Sequence, residues 1–209
     1  MRTLLAAFII IYVWAGALWG GDVTELYPNR GKTADLGAEI AMKVMKSDLL
    51  VVLLVSEKAD WKRAKTAVSE VLSELREGLK PREAARLKWA VVSYGTNPTL
   101  RLQPTDNVHE ILAAIAQPPS DSSAAGDLDK ALLFSLKVFA PLGKPVYVIL
   151  AHGAAARPPK LCTDTSAALD AANGRLYALI PDPGAPFVFF PYYEKPTPHP
   201  PHSLPLPPL

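Results

Sequence analysis

Several side chains in this 209-residue sequence are of types that do chemistry. Ser56, Asp127 and His152 supply a nucleophile, a carboxylate and a base, the ingredients of acyl transfer. Asp127 and Asp129 offer hard oxygen ligands of the kind a divalent cation takes. His199 and His202 can give at most two nitrogen ligands, and Cys162 is the only thiol. No spacing among them fixes a reaction, and each has a plainer structural reading. Asp127 and Asp129 stand where helix N-terminal amides favour negative charge. His152 ends a buried strand with no patterned partner, which suits a hydrogen-bonded structural histidine. Ser56, Glu57 and Lys58 read as a solvated loop between a strand and a helix. One cysteine cannot close an internal disulfide or build a Cys-rich zinc site. Gly-x-Gly-x-x-Gly, Gly-x-x-x-x-Gly-Lys-Ser/Thr and Gly-x-Ser-x-Gly are all absent from the sequence. No cofactor and no metal are expected, and the chain is expected not to be an enzyme.

The elements that must position these residues are organised around Leu49 to Val55, an unbroken apolar run of Leu and Val. Such a run suits a strand buried on both faces of a parallel sheet. Asp60 is placed to cap a helix over Trp61 to Leu79, where Ala64, Ala67, Val68, Val71, Leu72 and Leu75 form one apolar stripe. Leu87 to Tyr94, a Gly95-Thr96-Asn97-Pro98 turn and the alternating Thr99 to Gln103 predict an antiparallel hairpin with the last strand at the sheet edge. A short helix capped by Asn107, a helix from about Asp127 to Phe139, a strand over Val146 to Ala151, a weaker helix over Thr163 to Ala172 and a strand over Leu176 to Ile180 follow. The expected fold class is α/β: a mostly parallel central sheet with one antiparallel edge strand and helices on both faces. Trp61 and Trp89 are expected in its core.

Net charge is +2, so no field argues for nucleic acid. Residues 1–20 carry Arg2, an apolar run from Leu4 to Val13 and Ala15-Gly16-Ala17, the pattern of a secretory signal peptide or, if uncleaved, a signal anchor. Residues 21–47 read as a lead-in with a short helix, and 48–183 as the folded domain. Eleven of the 21 prolines fall in 181–209, so 184–209 reads as a Pro-rich, disordered tail in which Phe187 to Phe190 can form one short edge strand.

The order of elements resembles the von Willebrand factor type A domain of matrilins and collagen VI. Asp48 to Val55 is similar to that family's first strand and Trp89 to Gly95 to its second. Val108 to Ile115, Asp129 to Leu132, Val146 to Leu150 and Gly174 to Ile180 match later elements in order. The resemblance implies binding of extracellular matrix or cell-surface proteins through a metal held by an Asp-x-Ser-x-Ser motif, a threonine and a second aspartate. Those positions fall here on Val55, Glu57, Ala59, Gly126 and His152. The ligands do not carry over, and the site is expected to be degenerate. The expectation is a secreted, metal-independent interaction module, with Cys162 available for an interchain disulfide in a homo- or hetero-oligomer. The rival expectations are an α/β enzyme with an unrecognised site, or an accessory protein that keeps its leader in the membrane.

Overall fold

With Val and Leu at every position from Leu49 to Val55, β1 (Leu49–Ser56) has no polar side to turn to water, and all its residues are buried. It lies inside a six-stranded sheet, between β2 (Leu87–Tyr94) and β4 (Val146–Ala151), parallel to both. β5 (Arg175–Asp182) continues the parallel set beside β4. β3 (Pro98–Thr105) closes one edge antiparallel to β2. The computed structural model describes residues 33–57, 59–116, 126–151, 161–182 and 185–193.

The α/β class and the antiparallel β3 edge agree with the sequence. The second edge differs from it. β6 (Ala185–Tyr193) pairs antiparallel with β5, so the sheet has two antiparallel edges rather than one. The strand is also longer than the four residues Phe187 to Phe190. Proline counts heavily against strand structure in a sequence reading, but an edge strand needs only half of its N–H groups for the ladder. The pairing has register irregularities between Ile180 and Asp182, around Pro181, and between Leu176 and Tyr177, where Tyr177 meets Pro191.

Alternation along the strands sorts the core into two layers. Val51, Leu53, Val55, Trp89, Val91, Ile149 and Tyr177 face helices α1 (Thr33–Lys46), α2 (Trp61–Gly78) and α4 (Val108–Ala116). Leu50, Val52, Leu54, Val92, Val148 and Leu176 face α5 (Leu128–Phe139) and α6 (Thr163–Ala171). A one-turn helix, α3 (Pro81–Ala84), joins α2 to β2. Trp61 and Trp89 lie in the first layer, both buried.

Helix α1 belongs to that same layer. Leu36, Ile40 and Val44 have no exposed surface, and Gly37 lets the helix lie close on α2. A Cβ there would come within 2.9 Å of Glu74 Cβ. The Glu39 carboxylate accepts hydrogen bonds from the Tyr177 hydroxyl and the Arg175 guanidinium, and Arg175 lies over the Tyr147 ring at 5.7 Å. Burial, reinforced by the bond to Glu39, pushes the Tyr177 phenol well above its ordinary range. The described fold thus takes in helix 33–46, which the sequence places in the lead-in and whose apolar face joins the core, and strand 185–193, which the sequence places in the tail and which pairs with β5. Residues 1–20 and 194–209 lie outside the described residues.

Candidate functional site

In an open α/β sheet the ligand face lies beyond the carboxyl ends of the strands. Here that edge is formed by Ser56 and Glu57 at the end of β1, Tyr94 and Gly95 at the end of β2, and Gly126 and Asp127 before α5. Val55, the first of the five positions, has no exposed surface and is aligned with Ser93 and Ala151 on the flanking strands. Its direction follows from strand alternation, which turns odd positions of β1 toward α2. Ala59 is packed against the same core, with its N–H donating to Ser56 O at 2.9 Å.

Glu57 is half-buried, and its N–H donates to Tyr94 O at 2.9 Å. Its carboxylate covers Gly95, where a Cβ would overlap it. Gly126 lies against the Tyr94 ring: a Cβ at that position would be 2.6 Å from Tyr94 Cδ2. Burial pushes the Tyr94 phenol well above its ordinary range, against the opposing bond from the Ser56 hydroxyl. Four of the five positions are therefore placed: one in the core, one packed against it, one over Gly95 and one under an aromatic ring. His152 lies outside the described residues, as do Lys58, His199 and His202.

The proposed nucleophile and acid have other work. Ser56 is buried and bonded to Tyr94. Asp127 Oδ1 accepts from Lys130 N at 3.0 Å, capping α5 as its sequence position suggests. Among the described residues no three His, Cys, Asp or Glu side chains are grouped closely enough to hold a metal ion.

Two connections at this edge were not legible in the sequence. Lys130 Nζ reaches back to the β2–β3 turn, donating to Asn97 Oδ1 at 2.7 Å and to Thr96 O at 3.3 Å. Asp129 is more than a first-turn charge. Its Oδ1 accepts from Cys162 N at 3.0 Å, tying α5 to the start of α6, where Cys162 Sγ lies 3.0 Å from Thr165 Oγ1. Burial raises the affinity of the Asp129 carboxyl for its proton, but hydrogen bonds from Thr165 and Cys162 outweigh it, so the group titrates below its ordinary range. Asp129→Ala is expected to cost about 1 kcal/mol at neutral pH, since it leaves the buried Thr165 hydroxyl without this partner while the exposed Cys162 N–H can turn to water. A carboxylate with a depressed folded-state value stabilises fully above its unfolded value, about pH 4, and the contribution fades as pH falls through the folded value. The gap between wild type and Asp129→Ala in urea melts should therefore narrow below about pH 4 and be constant above about pH 5.

No protein-family profile matches the chain, and no curated protein resembles it in sequence. Solved structures with a comparable chain path include the conserved hypothetical protein BatB from Bacteroides thetaiotaomicron, at TM-score 0.43 and 14% identity over 63% of this chain and 65% of that one. An aerotolerance-related membrane protein from Bacteroides fragilis gives TM-score 0.43 and 13% identity over 66% and 74%. The VWA domain of SpRpn10 gives 0.36 and 14% over 64% and 89%. This chain covers less than two thirds of the first of them.

Proposed function

We propose that this chain is a non-enzymatic interaction module that binds other proteins without a metal ion, in the secretory pathway and extracellular matrix. The observation that carries the reading is Val55. Where the resembled family holds its first aspartate, this chain holds a side chain with no exposed surface inside an apolar layer. Gly126, at the threonine position, lies under the Tyr94 ring, and Glu57 is the only carboxylate among the five positions. A cation of the magnesium or calcium class wants about six oxygen contacts, which one carboxylate does not supply. The extracellular setting rests on the composition of residues 1–20.

The test is a pair of measurements. Thermal melts in EDTA and in millimolar magnesium, manganese or calcium are expected to superimpose. A saturating cation would add about 2.7 kcal/mol, a shift of roughly 5–10 °C for a domain of this size. Such a shift, abolished by Glu57→Ala or His152→Ala, would overturn metal independence. Binding of the full chain to a panel of purified matrix proteins is then scored in both buffers. EDTA-insensitive binding supports the reading, and no binding to any of them removes the matrix assignment.

Cys162 is exposed. Protein made in the secretory pathway is expected to run partly as a disulfide-linked dimer, converted to monomer by reductant or by Cys162→Ser. Identical migration with and without reductant would remove the interchain bond.

A further inference from the structure

We infer that the cavity between the C-terminal half of α2 and the start of α4 is a binding site for a small amphiphile: an apolar tail ending in a carboxylate. The cavity has a volume of about 420 Å³, within the range of small-molecule sites. It lies at the opposite end of the sheet from the Ser56–Gly126 edge and is independent of the function proposed above. Its walls are Leu72 and Leu75 of α2, Leu87 and Trp89 at the start of β2, and Val108 and Ile111 of α4. Every one of these is apolar, and Val108 is 40% exposed where the cavity opens. Water in contact with such walls has few partners, so a hydrocarbon tail is the occupant they favour.

Charge at the opening decides the head group. Two charged side chains of opposite sign reach it, Arg76 and Asp106. Asp106 is already neutralised by an ion pair with Lys88. Arg76 is exposed and has no ion-pair partner among the described residues. Of the two charged side chains that line the cavity, Arg76 is thus the unmatched one, and its fork of donors fits a carboxylate. A neutral tail alone would leave Arg76 as it is. An anionic head at the mouth pairs it without burying a charge.

The experiment uses the full chain and two matched probes, decanoate and decanol, in titration calorimetry below their aggregation concentrations. Decanoate is expected to bind saturably at one site, about tenfold tighter than decanol. Arg76→Gln should weaken decanoate about tenfold and leave decanol unchanged. Ala84→Phe, an exposed change at the rim, should weaken both. A 10-bromodecanoate titration adds location: bound bromine quenches Trp89 fluorescence, and the quenchable component should be lost in Trp89→Phe. Should that variant fail to fold, the Ala84→Phe result still locates the site. Non-saturable uptake, equal affinities for the two probes, or decanoate binding indifferent to both Arg76→Gln and Ala84→Phe would overturn the assignment.

Discussion

Val55→Asp is expected to unfold the domain, and adding manganese is not expected to rescue it. In a metal-binding relative of the resembled kind, aspartate at this position would be a ligand. In this chain the side chain at residue 55 has no exposed surface and shares its cluster with Trp61, Val91 and Ile149. The strand neighbours at its level are Ser93 and Ala151, and of these two the Ser93 hydroxyl, itself buried without a hydrogen-bond partner, is the one that could meet a carboxylate. Burying an uncompensated acid costs several kcal/mol even when it takes up a proton to do so. A loss of about 4 kcal/mol or more is expected, against a total stability of about 5–15 kcal/mol. Metal saturation returns only about 2.7 kcal/mol at a hundredfold excess over Kd, and of the other ligand positions only Glu57 carries a carboxylate. Adding Gly126→Thr makes matters worse, because its Cβ would lie 2.6 Å from the Tyr94 ring. Overpacking of that kind costs about 1–3 kcal/mol. Val55→Thr, similar in shape and uncharged, should retain the fold and separates the effect of charge from that of volume. The measurement is urea denaturation followed by circular dichroism, with and without manganese. A folded Val55→Asp protein stabilised by the ion would show that the loop accepts a metal site after all.

The parts of this fold that were legible in the sequence are those where one local signal dominates. The Leu49–Val55 run has no polar face, so its central place followed from solvation alone. Asp60 and Asp127 had the right residue type one position before an apolar stripe, and each accepts the N–H three residues on. The β2–β3 hairpin followed from a turn too short for any parallel connection. What was not legible depends on contacts distant in sequence. The anchoring of α1 needs Glu39 to meet Arg175 and Tyr177, which lie 136 and 138 residues away. Asp129 reaches Cys162 across 33 residues, and its neighbour Lys130 reaches Asn97. Nothing local distinguishes Asp129 from an ordinary first-turn acid. Strand β6 was legible only in part, as the short edge strand Phe187 to Phe190, and its full length was not. Its prolines argue against a ladder, and only the edge position, a tertiary fact, makes Pro186 and Pro191 tolerable there.

Removing α1 is expected to destroy the domain as thoroughly as a charge at residue 55. The helix falls in the segment that the sequence reads as a lead-in, yet Leu36, Ile40 and Val44 carry no exposed surface. Each is the kind of side chain whose loss from a core costs about 2–5 kcal/mol. Losses at neighbouring sites are not additive, but even a discounted sum for three is comparable with the whole stability of a domain. Deletion also strips cover from α2, on which the helix packs, and leaves Tyr177 and Arg175 without the Glu39 carboxylate. Point variants grade the effect. Ile40→Ala should cost about 2–5 kcal/mol. Gly37→Leu tests the helix contact itself, since its first added carbon would meet Glu74 Cβ at 2.9 Å and force α1 away from α2. Met42→Ala, at a position 56% exposed on the same helix, should cost little and serves as the control. The comparison is between fragments 21–195 and 47–195, by thermal melt and by dispersion of amide proton resonances. The shorter fragment is expected to be insoluble or to lack a cooperative transition. Were it to melt at the same midpoint as the longer one, the buried face of α1 would contribute nothing, and the helix would be a lead-in as its place in the sequence suggests.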